Sequence, residues 1–290
     1  MKKILSILLF VFLLIILAMF MNKTYPSLFD PYVKNAPEID INTPFNSPSL
    51  TPSVSPESLD KEQITPVPDN STLPITPSPT KSPSPNLVEE AGYTGDSKQI
   101  ITVTSKVFNT TYATLDAYEM INGRWANVYD NIPARIGYNG FSPDKVEGDK
   151  KSPAGIFSID FMFGRADNPG VKFEYRKLDG DEYWIDDPGS SFYNTWQEGA
   201  PDGRWNSAEN LYNISGYKYA AVISYNSPNI VPGKGSAIFL HVSSKKPTIG
   251  CTTIAEDDLL KILRWLDPEK KPVIVQGTKE YIVQMLNPNK

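Results

Sequence analysis

Short apolar runs separated by glycine, proline and other turn residues make up most of the chain after residue 92. These runs have the length and apolar content of β-strands, and they lie at 100–107, 112–118, 125–129, 156–163, 171–175, 182–185, 217–225, 237–242 and 272–275. Two stretches, 254–266 and 279–286, have the helical spacing of apolar side chains. The pattern therefore predicts a mainly-β domain with one or two covering helices.

The amino terminus carries one long apolar segment. Lys2 and Lys3 precede residues 4–21, in which Ser6 is the only polar residue. A segment of this length is at the lower limit for crossing a membrane, and the two lysines favour a cytoplasmic amino terminus. No small-residue cleavage site follows, so residues 1–22 indicate an uncleaved signal-anchor in preference to a cleaved signal peptide. Either form exports the rest of the chain.

Proline, serine and threonine recur through residues 23–91, where large apolar side chains are few. Such a composition cannot bury enough apolar surface to offset the entropy lost on ordering. We therefore predict a disordered linker, partly in the extended polyproline II conformation, that tethers a folded domain at residues 92–290.

Composition limits the chemistry that this domain can carry. The chain has 28 basic and 33 acidic side chains, a formal net charge of −5 and a pI near 5.1, which argues against a nucleic-acid partner. One cysteine cannot form an internal disulfide, and one histidine with one cysteine cannot make a zinc site of the usual kind. No residue spacing indicates another metal or an organic cofactor, so we expect none.

The only histidine, His241, and the only cysteine, Cys251, are close together in the chain. His241 follows an apolar strand pattern, and Cys251 follows Gly250 in a tight turn. Thr253 with Glu256 has the form of a capping box, which predicts that a helix begins just after the cysteine.

This pair has two interpretations. A cysteine attacks as its thiolate, and a nearby histidine can accept the thiol proton and later return it to a leaving amine. The backbone N–H of Gly250 or of Cys251 would then stabilise the oxyanion. The spacing also fits a buried, inert thiol beside a histidine with a structural role.

Two segments carry a resemblance to a known family. The stretch AIFLHVSSKKPTIGCTTI at 237–254 resembles the catalytic motif of YkuD-type L,D-transpeptidases, in which a histidine after an apolar strand precedes a Ser/Thr-x-Gly-Cys turn. Residues 140–157 are similar to the family's Lys-x-Glu-Gly-Asp…Thr-Pro-x-Gly-x-Phe signature, with Ser152 in place of the usual threonine. Further short matches are Asp186-Asp187-Pro188, Tyr193-Asn194 and Tyr225-Asn226. The resemblance covers about residues 100–277.

Two departures from the family pattern concern the site itself. The interval between His241 and Cys251 is shorter than in many members, and Thr253 stands where an arginine is common. Both departures are typical of a branch of the family, and they leave the contacts with substrate open.

The resemblance implies a YkuD-like β-sandwich and metal-free acyl transfer outside the cytoplasm. Cys251 would attack the third residue of a peptidoglycan tetrapeptide stem, and His241 would act as general base and acid. An amine of a second stem would then form a 3–3 cross-link. The alternatives are transfer to water, as in a cysteine-dependent peptidase or L,D-carboxypeptidase, and a non-catalytic cell-wall-binding module.

Other polar and aromatic residues favour a structural interpretation first. Glycoside hydrolysis needs a pair of carboxylates, and the candidates are Glu147, Asp149, Asp186 and Asp187; we expect them to hold loops and turns. Tryptophans also stack on sugars, and the candidates are Trp184, Trp196 and Trp205; we expect them to pack in the core.

Overall fold

The computed structural model describes residues 85–288. The helices of this part are α1 (Leu87–Ala91), α2 (Glu256–Trp265) and α3 (Lys279–Leu286). Its strands are β1 (Gln99–Ser105), β2 (Tyr112–Ile121), β3 (Arg124–Arg135), β4 (Phe141–Ser142), β5 (Ser152–Pro153), β6 (Gly155–Gly164), β7 (Tyr175–Lys177), β8 (Glu182–Ile185), β9 (Trp196–Glu198), β10 (Ala208–Asn210), β11 (Ala220–Ile223), β12 (Phe239–Val242), β13 (Thr252–Ile254) and β14 (Val273–Thr278). Short 3₁₀ turns lie at Leu211–Asn213, Ser215–Lys218 and Pro268–Lys270. The mainly-β class is confirmed.

The main sheet closes on itself. Its strands run in the order β11-β12-β13-β3-β2-β1-β14-β6-β7, and β11 also pairs with β6. The strands from β11 to β6 therefore form a closed barrel, and β7 continues the sheet beside β6. The expected β-sandwich would have two facing sheets with open edges. The pairing of β6 with β11 closes those edges, with a register irregularity between Ala221 and Ile223. Closure depends on pairing between distant strands, which local patterns do not encode.

The largest of three clusters of buried apolar side chains within residues 85–288 joins strands of the main sheet with helix α2. Ile101, Leu115, Leu240 and Ile274 come from four different strands of the main sheet, and all are fully buried. Helix α2 adds Leu259, Ile262 and Leu263 to the same cluster, and its C-cap residue Leu266 joins them, so the apolar face of the helix packs against the sheet. Leu260 is only half-buried.

The start of helix α2 differs from our prediction. The helix begins at Glu256 with Ala255 as its N-cap, and no side chain caps it. Thr253 lies in β13, where its hydroxyl contacts the Ser243 hydroxyl and the Arg135 carbonyl. The capping-box prediction is wrong because the parallel pairing of β13 with β12 extends the backbone through this position. A strand therefore separates the cysteine from the helix, and the helix N-terminus is not directly behind the thiol.

Most predicted strands are present with shifted ends, and two need correction. Of the run 171–175, only Tyr175 belongs to a strand, where it begins β7. The run 217–225 contains the shorter β11, and Tyr217 lies in a 3₁₀ turn before it. Both runs are rich in aromatic and β-branched residues, which favour strands only where a neighbouring strand is available. Strand β8 and helix α3 have the bounds that we predicted.

The folded domain begins before residue 92. Helix α1 lies within the range 23–91 that we assigned to the linker; Asn86 caps it in a capping box with Glu89. Val88 and Ala91 are fully buried against α3 and the sheet. No helix within residues 85–288 is long and apolar enough to cross a membrane. The predicted anchor at 1–22 and most of the predicted linker lie outside the described residues.

A second, three-stranded sheet in the order β10-β8-β9 lies beside the main one. Its central strand β8 carries Trp184, which packs edge-on against Phe239 of β12 at 5.0 Å between ring centroids. The small sheet is thereby joined to the strand that carries the histidine.

Candidate active site

His241 and Cys251 line one cavity of about 650 Å³. His241 is in β12, and Cys251 immediately precedes β13, which runs parallel to β12 with His241 opposite Thr253. Side chains two residues apart along extended backbone share a face, so Cys251, two residues before Thr253, lies at the same side of the sheet as His241. The two predicted residues are thus together in space, and their catalytic roles stay a prediction.

The thiol of Cys251 is almost fully enclosed, with 7% of the residue exposed. The Phe239 N–H donates to Sγ at 3.4 Å, and the thiol donates to the Ala237 carbonyl at 3.3 Å. The Tyr217 hydroxyl also interacts with the sulfur. Burial in this apolar surrounding, reinforced by the negative charge of Glu209, raises the pKa of Cys251 to about 12. At neutral pH the resting group is therefore a thiol.

The imidazole of His241 is held by backbone groups. Nδ1 lies 3.0 Å from the Val242 carbonyl oxygen, and the backbone of Gly216 also bonds the ring. Because a carbonyl can only accept, we assign the proton to Nδ1, which leaves Nε2 as a proton acceptor. The Tyr217 ring packs edge-on against the imidazole at 5.0 Å. Burial lowers the pKa of His241 to about 4, so the ring is neutral at pH 7.

The turn that presents the cysteine is fixed by hydroxyl groups. Thr248 Oγ1 accepts from the Gly250 N–H at 3.2 Å and donates to the Cys251 carbonyl at 2.6 Å. Ser152 Oγ accepts from the Gly137 N–H at 3.0 Å and donates to the same Cys251 carbonyl at 3.2 Å. The Gly250 N–H is thus engaged in the resting site, which makes the Cys251 N–H the better of the two oxyanion donors that we predicted.

The upstream motif forms a loop beside this turn. Lys145, only 3% exposed, pairs with Asp149 at 2.8 Å, and Asp149 also accepts the N–H groups of Val146 and Lys151 at 2.9 Å. The Lys145 ammonium partly offsets the rise in the pKa of Cys251. Asp149 therefore holds a turn, as we expected, whereas the lysine also acts electrostatically on the thiol.

Asn194 positions the chain that leads into β12. Its Oδ1 accepts from Trp184 Nε1 at 2.9 Å and from the Ala237 N–H at 3.2 Å. Its Nδ2 donates to the carbonyls of Tyr225 and Asn226 at 3.1 and 3.0 Å. The residues of the short sequence matches therefore shape the backbone around the thiol.

The remaining carboxylates and tryptophans divide between structure and site. Asp187 accepts backbone N–H groups and holds a turn, as we expected, and Trp184 and Trp205 are buried. Glu147 and Asp186 line the cavity instead. Glu147 accepts hydrogen bonds from the hydroxyls of Tyr193 and Ser236, whereas Asp186 Oδ1 is a buried atom without a partner.

Sequence analysis missed Glu209, Tyr217 and Gly216. The Tyr217 hydroxyl donates to Glu209 Oε2 at 2.7 Å. Burial, helped by the charges of Asp186 and Glu147, raises the pKa of Glu209 to about 7. Glu209 lies in the small sheet, in a polar stretch with no periodic pattern, so its proximity to the cysteine had no local signal.

Only one group of three carboxylates within residues 85–288 brings its oxygens within 4.8 Å of one another, namely Asp179, Asp181 and Glu182. The two aspartates are exposed, and Glu182 accepts the N–H groups of Asp179 and Gly180, which is a turn arrangement. This group does not indicate a metal role.

The mainly-β barrel brings a buried thiol and a neutral imidazole into one cavity. This arrangement is a candidate active site for cysteine-dependent acyl transfer. Residues 103–275, more than half of the chain, match the family model of YkuD, the L,D-transpeptidase catalytic domain. The chain therefore belongs to the YkuD family.

Comparisons with individual proteins add little beyond this. No curated protein matches the chain. The helical cell shape determining protein Pgp2 from Campylobacter jejuni is similar at 14% identity and a TM-score of 0.33, covering 69% of this chain and 59% of that one. Bd1075 from Bdellovibrio bacteriovorus gives 14% identity and a TM-score of 0.33, covering 66% and 53%. The chain thus spans less than two thirds of the length of either structure.

Proposed function

We propose that this protein is an L,D-transpeptidase of the bacterial cell wall that forms 3–3 peptidoglycan cross-links through an acyl-enzyme at Cys251. The observation that carries the proposal is that His241, in β12, and Cys251, just before the neighbouring β13, line one cavity in a chain of the YkuD family. The export signal and linker predicted at 1–22 and 23–91 support a location outside the cytoplasm, with the membrane as anchor. Stem peptides supply both the acyl group and the acceptor amine.

The proposed reaction uses a proton cycle on His241, which lines the same cavity as Cys251. Nε2 accepts the thiol proton as sulfur attacks the carbonyl carbon of the third stem residue. The carbon–nitrogen bond to the terminal D-alanine then breaks, and Nε2 gives that proton to the leaving amine. The acceptor amine attacks the thioester, loses a proton to Nε2, and sulfur leaves and is reprotonated. The Cys251 N–H stabilises the oxyanion in both steps.

One observation favours the non-catalytic alternative. A thiol that is 7% exposed, with its pKa raised to about 12, has the environment of an inert structural cysteine. Transfer to water in place of an amine, as in an L,D-carboxypeptidase, uses the same acyl-enzyme. One experiment separates the three possibilities.

The full chain in detergent micelles is incubated with tetrapeptide stems, and its intact mass is measured. Cys251 is the only cysteine, so an added mass equal to the stem minus its terminal D-alanine, missing in Cys251→Ala, identifies the thioester. Adding a stem with a free side-chain amine yields a cross-linked dimer for a transpeptidase and a tripeptide for a hydrolase. Neither adduct nor product between pH 5 and pH 9 would refute both enzymatic functions.

A further inference from the structure

The cavity contains a second hydrogen-bonded route to the thiol, separate from His241. Tyr217 lies in the 3₁₀ turn before β11, and Glu209 lies in β10 of the small sheet. The Tyr217 oxygen is 2.7 Å from Glu209 Oε2, and Tyr217 packs with Cys251 in one buried cluster, where its hydroxyl acts on the charge of the sulfur. A tyrosine hydroxyl has one proton to donate, so it serves either the carboxylate or the sulfur.

We propose that Tyr217 and Glu209 are positioning residues of Cys251, and that Glu209 acts as a neutral carboxylic acid in the reactive enzyme. In this form the Glu209 O–H donates to the Tyr217 oxygen, and the Tyr217 O–H donates to the Cys251 thiolate. When Glu209 is ionised the chain runs the other way, because Tyr217 then donates to the carboxylate. The inference rests on the proposed function, since it assumes that Cys251 is the nucleophile.

Electrostatics favours the neutral acid. An ionised Glu209 would stand beside the developing thiolate, and two neighbouring anions in a site of low dielectric disfavour each other. The titratable and charged groups that face Glu209 or share its cavity are Tyr217, Cys251, Asp186, Glu147, Lys145 and His241. Asp186 and Glu147 both favour protonation of Glu209, and burial raises its pKa to about 7. Proteins use a carboxylic acid kept neutral in this way as a hydrogen-bond donor.

The reaction still balances with His241 as the only proton carrier. The thiol proton goes to Nε2 and then to the leaving amine, as in the proposed cycle. Glu209 keeps its proton throughout and donates it in a hydrogen bond to the Tyr217 oxygen, and the Tyr217 proton stays on its oxygen and points to Sγ. Tyr217 thus adds a donor to the thiolate at the moment when charge develops there.

Glu209→Gln tests the proposal because glutamine is a permanently neutral donor of nearly the same shape. The full chain in detergent is assayed for acyl-enzyme formation from pH 5 to pH 9. The wild type should lose activity about tenfold per pH unit above pH 7, as Glu209 ionises. Glu209→Gln should show no such loss, so at pH 9 it should form the acyl-enzyme about 100-fold faster than the wild type. Glu269→Gln, an exposed glutamate, is the matched control and should follow the wild type.

Tyr217→Phe keeps the ring against His241 and removes only the hydroxyl. It should lower the acylation rate on the order of 10²-fold, the typical effect of losing one such donor, and should abolish the inflection near pH 7. An inactive Glu209→Gln that is folded by circular dichroism, or a pH profile identical to that of the wild type, would overturn the proposal.

Alkylation of the sole cysteine by iodoacetamide provides a measurement that needs neither substrate nor turnover. In the wild type the rate should stop rising in proportion to hydroxide above pH 7, because ionised Glu209 then opposes the thiolate. In Glu209→Gln it should continue to rise about tenfold per unit. If the alkylation rate of the wild type rises in proportion to hydroxide over the whole pH range, the proposal is also overturned. If the rate levels off above pH 7 but no acyl-enzyme forms with stem peptides, only the proposed function is refuted.

Discussion

Gly216 has no room for a side chain because the imidazole of His241 packs directly on it. A Cβ at this position would lie 2.6 Å from Nδ1 and 2.9 Å from Cε1, and 3.1 Å from the Val242 carbonyl oxygen. Ordinary contacts of a Cβ begin at about 3.4 Å, so Gly216→Ala must displace the ring by roughly 0.8 Å. The displacement would weaken the Nδ1–Val242 bond that sets the tautomer and would move Nε2 away from its working position.

A misplacement of about 1 Å in a catalytic group typically costs on the order of 10²-fold in rate. We therefore expect Gly216→Ala to form the acyl-enzyme tens of times to about 100 times more slowly than the wild type. The backbone at Gly216 is not in the left-handed region, so folding should be retained. Intact-mass measurements on samples quenched at successive times give the acylation rate, and thermal unfolding followed by circular dichroism checks the fold.

Gly189→Ala is the matched control. Gly189 also lacks a positive φ, and a Cβ there would meet only the end of the flexible Asp187 side chain at 3.2 Å. It should acylate like the wild type. An acylation rate of Gly216→Ala within threefold of the wild type would show that the position of the imidazole does not limit the reaction, and would refute this reasoning.

Three further predictions concern protonation and stability. As the only histidine, His241 gives one pair of imidazole signals in nitrogen-15 NMR, and they should show a neutral ring down to about pH 4. A titration midpoint near pH 6.5 would contradict the burial of the ring. The pKa of His241 is lower in the folded protein than its unfolded value of about 6.5. The neutral ring therefore contributes about 3 kcal/mol to the free energy of unfolding above pH 6.5, and this contribution is lost as the pH falls toward 4. Urea unfolding at several pH values, compared with His241→Gln, measures it. Asp149→Asn leaves the buried Lys145 without its counter-charge and should lower the free energy of unfolding by about 3 kcal/mol. Asp144→Asn removes one partner of an exposed ion pair and should have no measurable effect. Equal losses in the two variants would show that burial of the pair does not determine the cost. Ser152→Ala removes a buried hydroxyl that makes two hydrogen bonds and should lower the free energy of unfolding by about 1–3 kcal/mol. Ser152→Thr keeps the hydroxyl and should lower it much less; equal losses in thermal or urea unfolding would exclude the hydroxyl as the cause.

The pair His241 and Cys251 was accessible from the sequence because its signal is local. An apolar run predicts the strand that ends near the histidine, and a Gly-Cys turn follows within a few residues. The parallel pairing of β12 and β13 then places both residues at one cavity. Helix α3 was equally accessible, since its apolar spacing and its Thr278 cap lie within one continuous stretch.

The second half of the site was not accessible, because it is assembled by pairings between distant segments. Glu209 reaches the thiol through the register of β10 on β8, in which it lies opposite Trp184. Barrel closure depends in the same way on β6 meeting β11. Thr253 shows the converse error, since its local pattern has the form of a helix cap and a strand pairing overrides it. Local patterns thus predict elements, and tertiary pairing decides what those elements place together.

The neutral resting state of the site has a consequence for the proposed function outside the cytoplasm. A thiolate is the form of cysteine that oxidants attack, and susceptibility follows thiolate character and exposure. Cys251 at rest is a thiol, 7% exposed, with its pKa raised to about 12, so both factors protect it. The thiol is therefore protected from oxidants at rest, and the reactive thiolate must form only when substrate is present. In the proposed mechanism His241 is a neutral proton acceptor and Tyr217 donates a hydrogen bond to the developing thiolate. Together they meet this requirement, because neither generates a thiolate at rest.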